Sequence, residues 1–260
     1  MTEDTAHERA ARPAAPPRVV ARQLSFSYPD QPPIYRDLNL ELGPGLHLLL
    51  GANGVGKSSL MRVLAGVEQP TSGSVEIDGF DLWRHEVEAR SRLAYVPEVP
   101  DMSAYATVRE ILRLVARLRA ASEAEASDAA GRFGLSSLGG RTTRELSLGQ
   151  RRRILLAAAW IRTPDLLLLD EPLDGVDQEG RNTIDRWLED LVGRGATVLV
   201  SSHELAPFRS STESVLWHDG SSWRHDQRSA GRYTLEQLEE LALGKAGGHP
   251  GVNDRAKGSG

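Results

Sequence analysis

Residues 51–58, Gly51-Ala52-Asn53-Gly54-Val55-Gly56-Lys57-Ser58, constrain this chain more than any other stretch. An apolar run, Leu46 to Leu50, precedes them, and Ser59-Leu60-Met61-Arg62-Val63-Leu64 follows with a helical pattern. The order predicts strand, glycine-rich loop and helix, the context that a G-x-x-x-x-G-K-[ST] phosphate-binding loop needs. Glycines let the backbone curl so that successive N–H groups point inward, and the helix N-terminus adds partial positive charge. In such a cradle Lys57 reaches the outer phosphates and the Ser58 hydroxyl completes the coordination of Mg2+. A glycine-rich turn capping an ordinary helix is the plainer alternative. Basic-residue usage argues against it: of 31 Lys and Arg, the only lysine between Met1 and Gly244 is Lys57. A compact ammonium fits a tight phosphate cradle where a planar guanidinium does not.

With 260 residues the chain is one large domain or two small ones, long enough to bury a core. A net charge of −5 gives no support for a nucleic-acid partner. There are no cysteines, which excludes disulfides and thiolate metal sites. The longest apolar run, Ile154 to Ile161, is far short of the roughly 18 residues of a membrane span. The acidic, polar N-terminus does not read as a signal peptide. Work at a membrane would therefore need another chain to supply the membrane part.

Met1 to Pro17, rich in Ala, Pro and charge, is expected to be a disordered leader, and residues 244–260 a frayed tail. Between them the pattern predicts strands over Arg18 to Tyr28, Ile34 to Leu42, Leu46 to Leu50, Ser74 to Ile77, Leu93 to Val96, Leu166 to Leu169 and Ala196 to Ser201. Helices are predicted over Thr107 to Arg119, Glu123 to Phe133, Gln150 to Ile161, Gln178 to Val192, Glu204 to Ser211 and Tyr233 to Leu243, with a hairpin around Asp219-Gly220. Strands alternating with helices around a phosphate loop mean an α/β core.

A second acidic feature belongs with the loop. Leu166-Leu167-Leu168-Leu169-Asp170-Glu171 puts two carboxylates at the carboxyl end of a strand apolar enough to be buried on both faces. Asp170 would hold Mg2+ through water, and Glu171 would polarise an attacking water as general base. Alone, such a strand end is common; paired with the loop it gains weight.

From about Arg18 to Tyr233 the sequence resembles the nucleotide-binding subunits of ABC transporters, particularly the ABC-2 type exporters. The stretch that carries the resemblance is Leu146-Ser147-Leu148-Gly149-Gln150, which matches the family signature LSGGQ except at Leu148. The resemblance implies a phosphate-loop (RecA-like) α/β core with a small antiparallel β part and a helical subdomain at about 98–162. It also implies ATP and Mg2+ as ligands. ATP would meet Gly51, Asn53, Gly54, Val55, Gly56, Lys57, Ser58 and Ser59 of one copy, and Ser147, Gly149 and Gln150 of the opposite one. Lys57, Glu171 and His203, the last as the switch histidine, would serve hydrolysis; Ser58, Glu98 and Asp170 would hold the metal. Tyr28 falls where an aromatic stacks on adenine, and Leu173-Asp174-Gly175-Val176-Asp177 resembles the D-loop. Glu98 stands where the family usually has Gln; a carboxylate accepts from metal-bound water but cannot donate as an amide does. The implied partners are a separate transmembrane permease and a second copy or a related ATPase subunit, with no nucleic acid. The implied place is the cytoplasm, on the inner face of the membrane through the permease. Import, or a soluble ATPase of cluster assembly, translation or DNA repair, stays open.

Overall fold

The computed structural model describes residues 18–227 and 233–244. The expected leader and residues 245–260 of the expected tail lie outside them. Its frame is a six-stranded sheet with the order β10-β9-β3-β8-β7-β6. These strands are β3 (Gly45–Leu50), β6 (Leu93–Val96), β7 (Leu166–Asp170), β8 (Thr197–Ser201), β9 (Thr212–His218) and β10 (Trp223–Gln227). Neighbours from β6 through β9 run parallel, and only β10 is antiparallel, closing a hairpin on β9. β3, β7 and β8 are buried along their whole length, as strands covered on both faces must be.

The two-residue period of a strand divides the core. Leu46, Leu48 and Leu50 of β3, with Leu167 and Leu169 of β7, face the larger cluster. Leu49, Leu166 and Leu168 face the other. The larger cluster is completed by α5 (Leu148–Trp160), α6 (Gln178–Gly193), α7 (Leu235–Ala242) and a helical excursion between β6 and β7, made of α3 (Val108–Leu118) and α4 (Glu123–Arg132). The smaller cluster packs α1 (Lys57–Leu64) against a four-stranded antiparallel sheet of order β2-β1-β4-β5. That sheet holds β1 (Val19–Phe26), β2 (Tyr35–Leu42), β4 (Ser72–Ile77) and β5 (Phe80–Asp81), and the short α2 (Glu86–Arg90) follows it. Each fully buried leucine contributes roughly 1.5–3 kcal/mol, so this double core fixes the register of the sheet.

Helix starts are set by reciprocal caps. Thr107 with Glu110, and Ser122 with Glu125, form capping boxes at the entries of α3 and α4. Two expectations need correction. The segment 204–211 is not an α-helix; only Arg209–Ser211 makes a 3-10 turn. Pro207 in its middle lacks an N–H and disfavours the helical conformation at Ala206. α5 starts at Leu148 rather than Gln150, because Ser147 is its N-cap. The signature residues thus belong to the first turn of that helix. β5 and α2 had no clear pattern in the sequence, being two and five residues long.

Candidate functional site

β3, β8 and β7 are neighbours, and their carboxyl ends deliver the chemistry to one edge of the sheet. β3 runs directly into residues 51–56. Gly51, Gly54 and Gly56 all have positive φ, at +151°, +80° and +103°. A Cβ on Gly56 would also overlap the Ile34 side chain, so glycine is required twice over at that position. α1 begins at Lys57 with no side-chain cap, which leaves its first-turn N–H groups to an anion. The Lys57 ammonium arches back over the loop and donates to the carbonyls of Gly51 (2.7 Å) and Ala52 (3.3 Å).

Asp170 closes β7 with 2% of its surface exposed, and one carboxylate oxygen accepts from the Ser201 hydroxyl at the end of β8. Glu171 follows at φ +48°, a left-handed conformation rare outside glycine and asparagine. Its N–H donates to the Ser201 carbonyl (3.0 Å). Its carboxylate accepts from the His203 N–H (3.1 Å) and lies 2.9 Å from His203 Nδ1. The other ring nitrogen of His203 is 3.7 Å from the Asp174 carboxylate. The imidazole therefore stands between two acids, and 64% of its side chain is exposed.

These groups line one cleft of about 920 Å³. Its walls include Tyr28, residues 53–59, Glu98, Asp170, Glu171, Asp174 and His203. Tyr28 packs edge-on against Phe26 (4.9 Å between ring centroids) and places its hydroxyl 3.3 Å from Ser59 Oγ, so it is in part a core aromatic. Behind the metal-ligand candidates, burial and the neighbouring Asp170 carboxylate push the Tyr95 phenol up to about 12, so it stays protonated. The oxygen set of Ser58, Glu98 and the half-satisfied Asp170 carboxylate suits a hard cation such as Mg2+.

Ser147, Gly149 and Gln150 are not in this cleft. They sit at the exposed start of α5, where Ser147 Oγ accepts from the Gln150 N–H (3.2 Å) and Gln150 Oε1 accepts from the Ser147 N–H (3.0 Å). Leu148 between them is 56% exposed. A Cβ on Gly149 would run into the Gly175 carbonyl oxygen, so the start of α5 lies directly against the turn at Asp174–Gly175.

Sequence reasoning missed several neighbours of the site. Gln31 to Ile34 and His218 also line the cleft. Arg181 on α6 donates to the Leu173 and Val176 carbonyls (both 3.2 Å) and pairs in bidentate fashion with Glu204, tying the turn after Glu171 to the segment after His203. Arg152, in the run Arg151 to Arg153, is buried beneath that turn. Nothing in the run distinguishes it from its two neighbours.

Known proteins resemble this chain along most of its length. Residues 35–174 match the ABC transporter family. The energy-coupling factor transporter ATP-binding protein of Methanosphaera stadtmanae is 34% identical over 206 residues, covering 75% of this chain and 74% of that protein. The Nod factor export ATP-binding protein I of Cupriavidus metallidurans is 35% identical over 172 residues, 64% of this chain; the chain spans only 57% of that relative's length. Among solved structures, the ATP-binding subunit of an ABC transporter superposes with a TM-score of 0.70 at 27% identity, covering 76% of this chain and 84% of that one. No helix among the described residues is long and apolar enough to cross a membrane. The family match over residues 35–174, together with ATP-binding relatives that cover about three quarters of the chain, places it in the ABC transporter family as a nucleotide-binding subunit.

Proposed function

We propose that this chain is the ATP-hydrolysing subunit of a transporter, working on the inner face of the membrane through a separate permease and by head-to-tail pairing with a second copy or a related subunit. The observation that carries the reading is a division of labour. Lys57, Asp170, Glu171 and His203 share one cleft, while Ser147 and Gly149 lie outside it, at the start of α5. ATP would lie on residues 51–59 with its adenine against Tyr28, and the capped N-terminus of the other copy's α5 would meet the γ-phosphate. The Ser147 hydroxyl oxygen already accepts from the Gln150 N–H, which leaves its proton to donate to phosphate.

Ser58, Asp170 and Glu98 would hold Mg2+, which would supply neutralisation of phosphate charge. Glu171 is the general base. Its contact with His203 Nδ1 fixes the carboxylate, and the exposed Nε2, now 3.7 Å from the Asp174 carboxylate, would turn to the γ-phosphate. Catalysis is then chiefly positioning and charge stabilisation of in-line attack by water. Binding closes the pair, hydrolysis opens it, and the permease converts the motion to transport.

Export is the direction favoured here, on Glu98, the short helical excursion and the relative named for export. The relative named for an energy-coupling factor transporter keeps import as the second reading. A soluble ATPase of the same family is the third; copurification of a polytopic membrane protein separates it from the first two. The central test is Glu171→Gln. It should retain ATP binding, lose roughly 100-fold or more in turnover and accumulate an ATP-bound dimer by light scattering. Normal turnover would remove Glu171 from the base role.

A further inference from the structure

Arg152 is a cation buried without a close counter-ion. It is 3% exposed, and the one carboxylate within 4 Å among the described residues is that of Asp174, at 3.9 Å. Its guanidinium is held by backbone instead. Nη1 donates to the carbonyls of Glu171 (2.7 Å) and Asp174 (2.9 Å), and Nη2 donates to the carbonyl of Glu98. The buried Nε–H has no hydrogen-bond partner among the described residues. A charge compensated by carbonyl dipoles, with one donor unsatisfied, is a poor way to stabilise a fold; an apolar side chain of similar volume usually does as well or better.

What the arrangement does secure is geometry. Arg152 stands on α5 within two turns of Ser147, so it moves with the signature residues. The carbonyls it gathers belong to three functional points: the Glu98 segment after β6, the candidate base Glu171, and the Asp174 turn against which Gly149 packs. Glu171 needs such a clamp most. Its backbone sits at φ +48°, a conformation that persists only where the surroundings over-determine it. The Ser201 carbonyl holds its N–H, and Arg152 holds its carbonyl.

We infer that Arg152 is a positioning residue for hydrolysis: it registers the Glu171 carboxylate and the Asp174 turn to the signature helix and ties both to the Glu98 segment. The inference rests on the reading of Glu171 as general base. Five fixed donors in a plane suit this task, whereas a lysine at the position keeps the charge but cannot span three carbonyls in the same fork.

The test uses the full chain as wild type, Arg152→Lys and Arg152→Met. Four quantities are measured: the Kd for ATP, the kcat and KM of ATPase activity, the melting temperature, and amide hydrogen exchange of segments 96–99 and 171–176. A misplaced base lowers kcat by about tenfold or more while leaving ground-state binding alone. Arg152→Met should therefore lose at least that much in kcat with Kd and KM within about twofold, and exchange faster in both segments but not in β3. Arg152→Lys should fall between it and wild type. A folded Arg152→Met protein with wild-type kcat and exchange would overturn the inference, as would a loss of activity that only tracks the unfolded fraction. If Arg152→Met does not fold, Arg152→Lys carries the same comparison. Absence of ATPase activity in the wild type would instead sink the functional reading, and the exchange data would still decide whether Arg152 clamps the two segments.

Discussion

Two helix N-termini in this molecule carry the residues proposed to meet phosphate, and they are finished differently. α1 has no side-chain cap, opens behind glycines in left-handed conformations, and faces a cleft that already contains Lys57, Asp170 and Glu171. α5 is closed by its own capping box, stands at the surface, and lies outside that cleft. The dipole is the same at both ends. The difference is enclosure: α1 is surrounded by groups from its own chain, and α5 would acquire a surround only from another molecule. On the function proposed, each chain would complete only the first of its two phosphate sites.

The largest effect expected from this contrast comes from adding one methyl at each end. Gly56→Ala forces a Cβ into the Ile34 side chain at φ +103°, so the loop must open. ATP binding should weaken about 100-fold or more, since each misdirected loop N–H is a lost charge-assisted bond. Gly149→Ala drives a Cβ toward the Gly175 carbonyl and should leave equilibrium binding of ATP to the monomer unchanged while ATPase activity falls by a similar factor. Titration calorimetry and steady-state kinetics on the two variants separate the outcomes. Weakened monomer binding in Gly149→Ala would break the comparison, because α5 would then serve its own chain's nucleotide.

Much of the loop end was legible because local rules write it. The spacing of Gly51, Gly54, Gly56 and Lys57 encodes a backbone path, and the apolar runs that became β3 and β7 encode strands buried on both faces. The acids at the end of β7 follow from where such a strand must stop. What the sequence left out is tertiary. That Arg152 is buried and Arg151 and Arg153 are not to the same degree depends on which side of α5 meets the turn after Glu171, and three consecutive arginines carry no period. The same holds for Arg181 with Glu204, joined across 23 residues. The segment 204–211 failed for the opposite reason, since its helical pattern was overridden locally by Pro207.

A middle-sized effect should distinguish the strand that feeds the loop from the helix that bears the signature. His47 on β3 and Ser214 are buried and share one chain of hydrogen bonds with the half-buried His225. Nε2 of His47 meets the Gly43 carbonyl at 2.9 Å, so Nδ1 accepts from the Ser214 hydroxyl (2.7 Å), whose oxygen accepts from Nε2–H of His225 (2.9 Å). Burial holds both imidazoles below their usual range, and His225, repelled also by His47, falls to about 4. A depressed histidine favours the folded state while it is neutral. The contribution is complete above about 6.5, the unfolded value, and is lost as pH drops toward 4. Wild type should lose up to about 3 kcal/mol more than His225→Gln between pH 7 and pH 4 in chemical denaturation. Equal losses in the two proteins would show that the network does not hold the β3 edge.

The smallest effect tests the one side chain in the signature that departs from glycine. Leu148 is the first residue of α5, exposed, and outside both hydrophobic clusters of the described residues. Leu148→Gly should cost the helix at most about 1 kcal/mol, since the first position is more forgiving than the interior, and should lower the melting temperature by a few degrees at most. Monomer affinity for ATP should not change, because the cleft of residues 53–59 is elsewhere. What should change is closure: with Leu148 removed, the α5 end approaches an opposite phosphate loop with less to desolvate and less to displace. In the Glu171→Gln background the ATP-bound dimer should then form at severalfold lower protein concentration. A dimerisation constant that does not move would mean that Leu148 packs against the partner as well as glycine does. The enclosure that α5 lacks in its own chain would then include an apolar pocket for this leucine on the other.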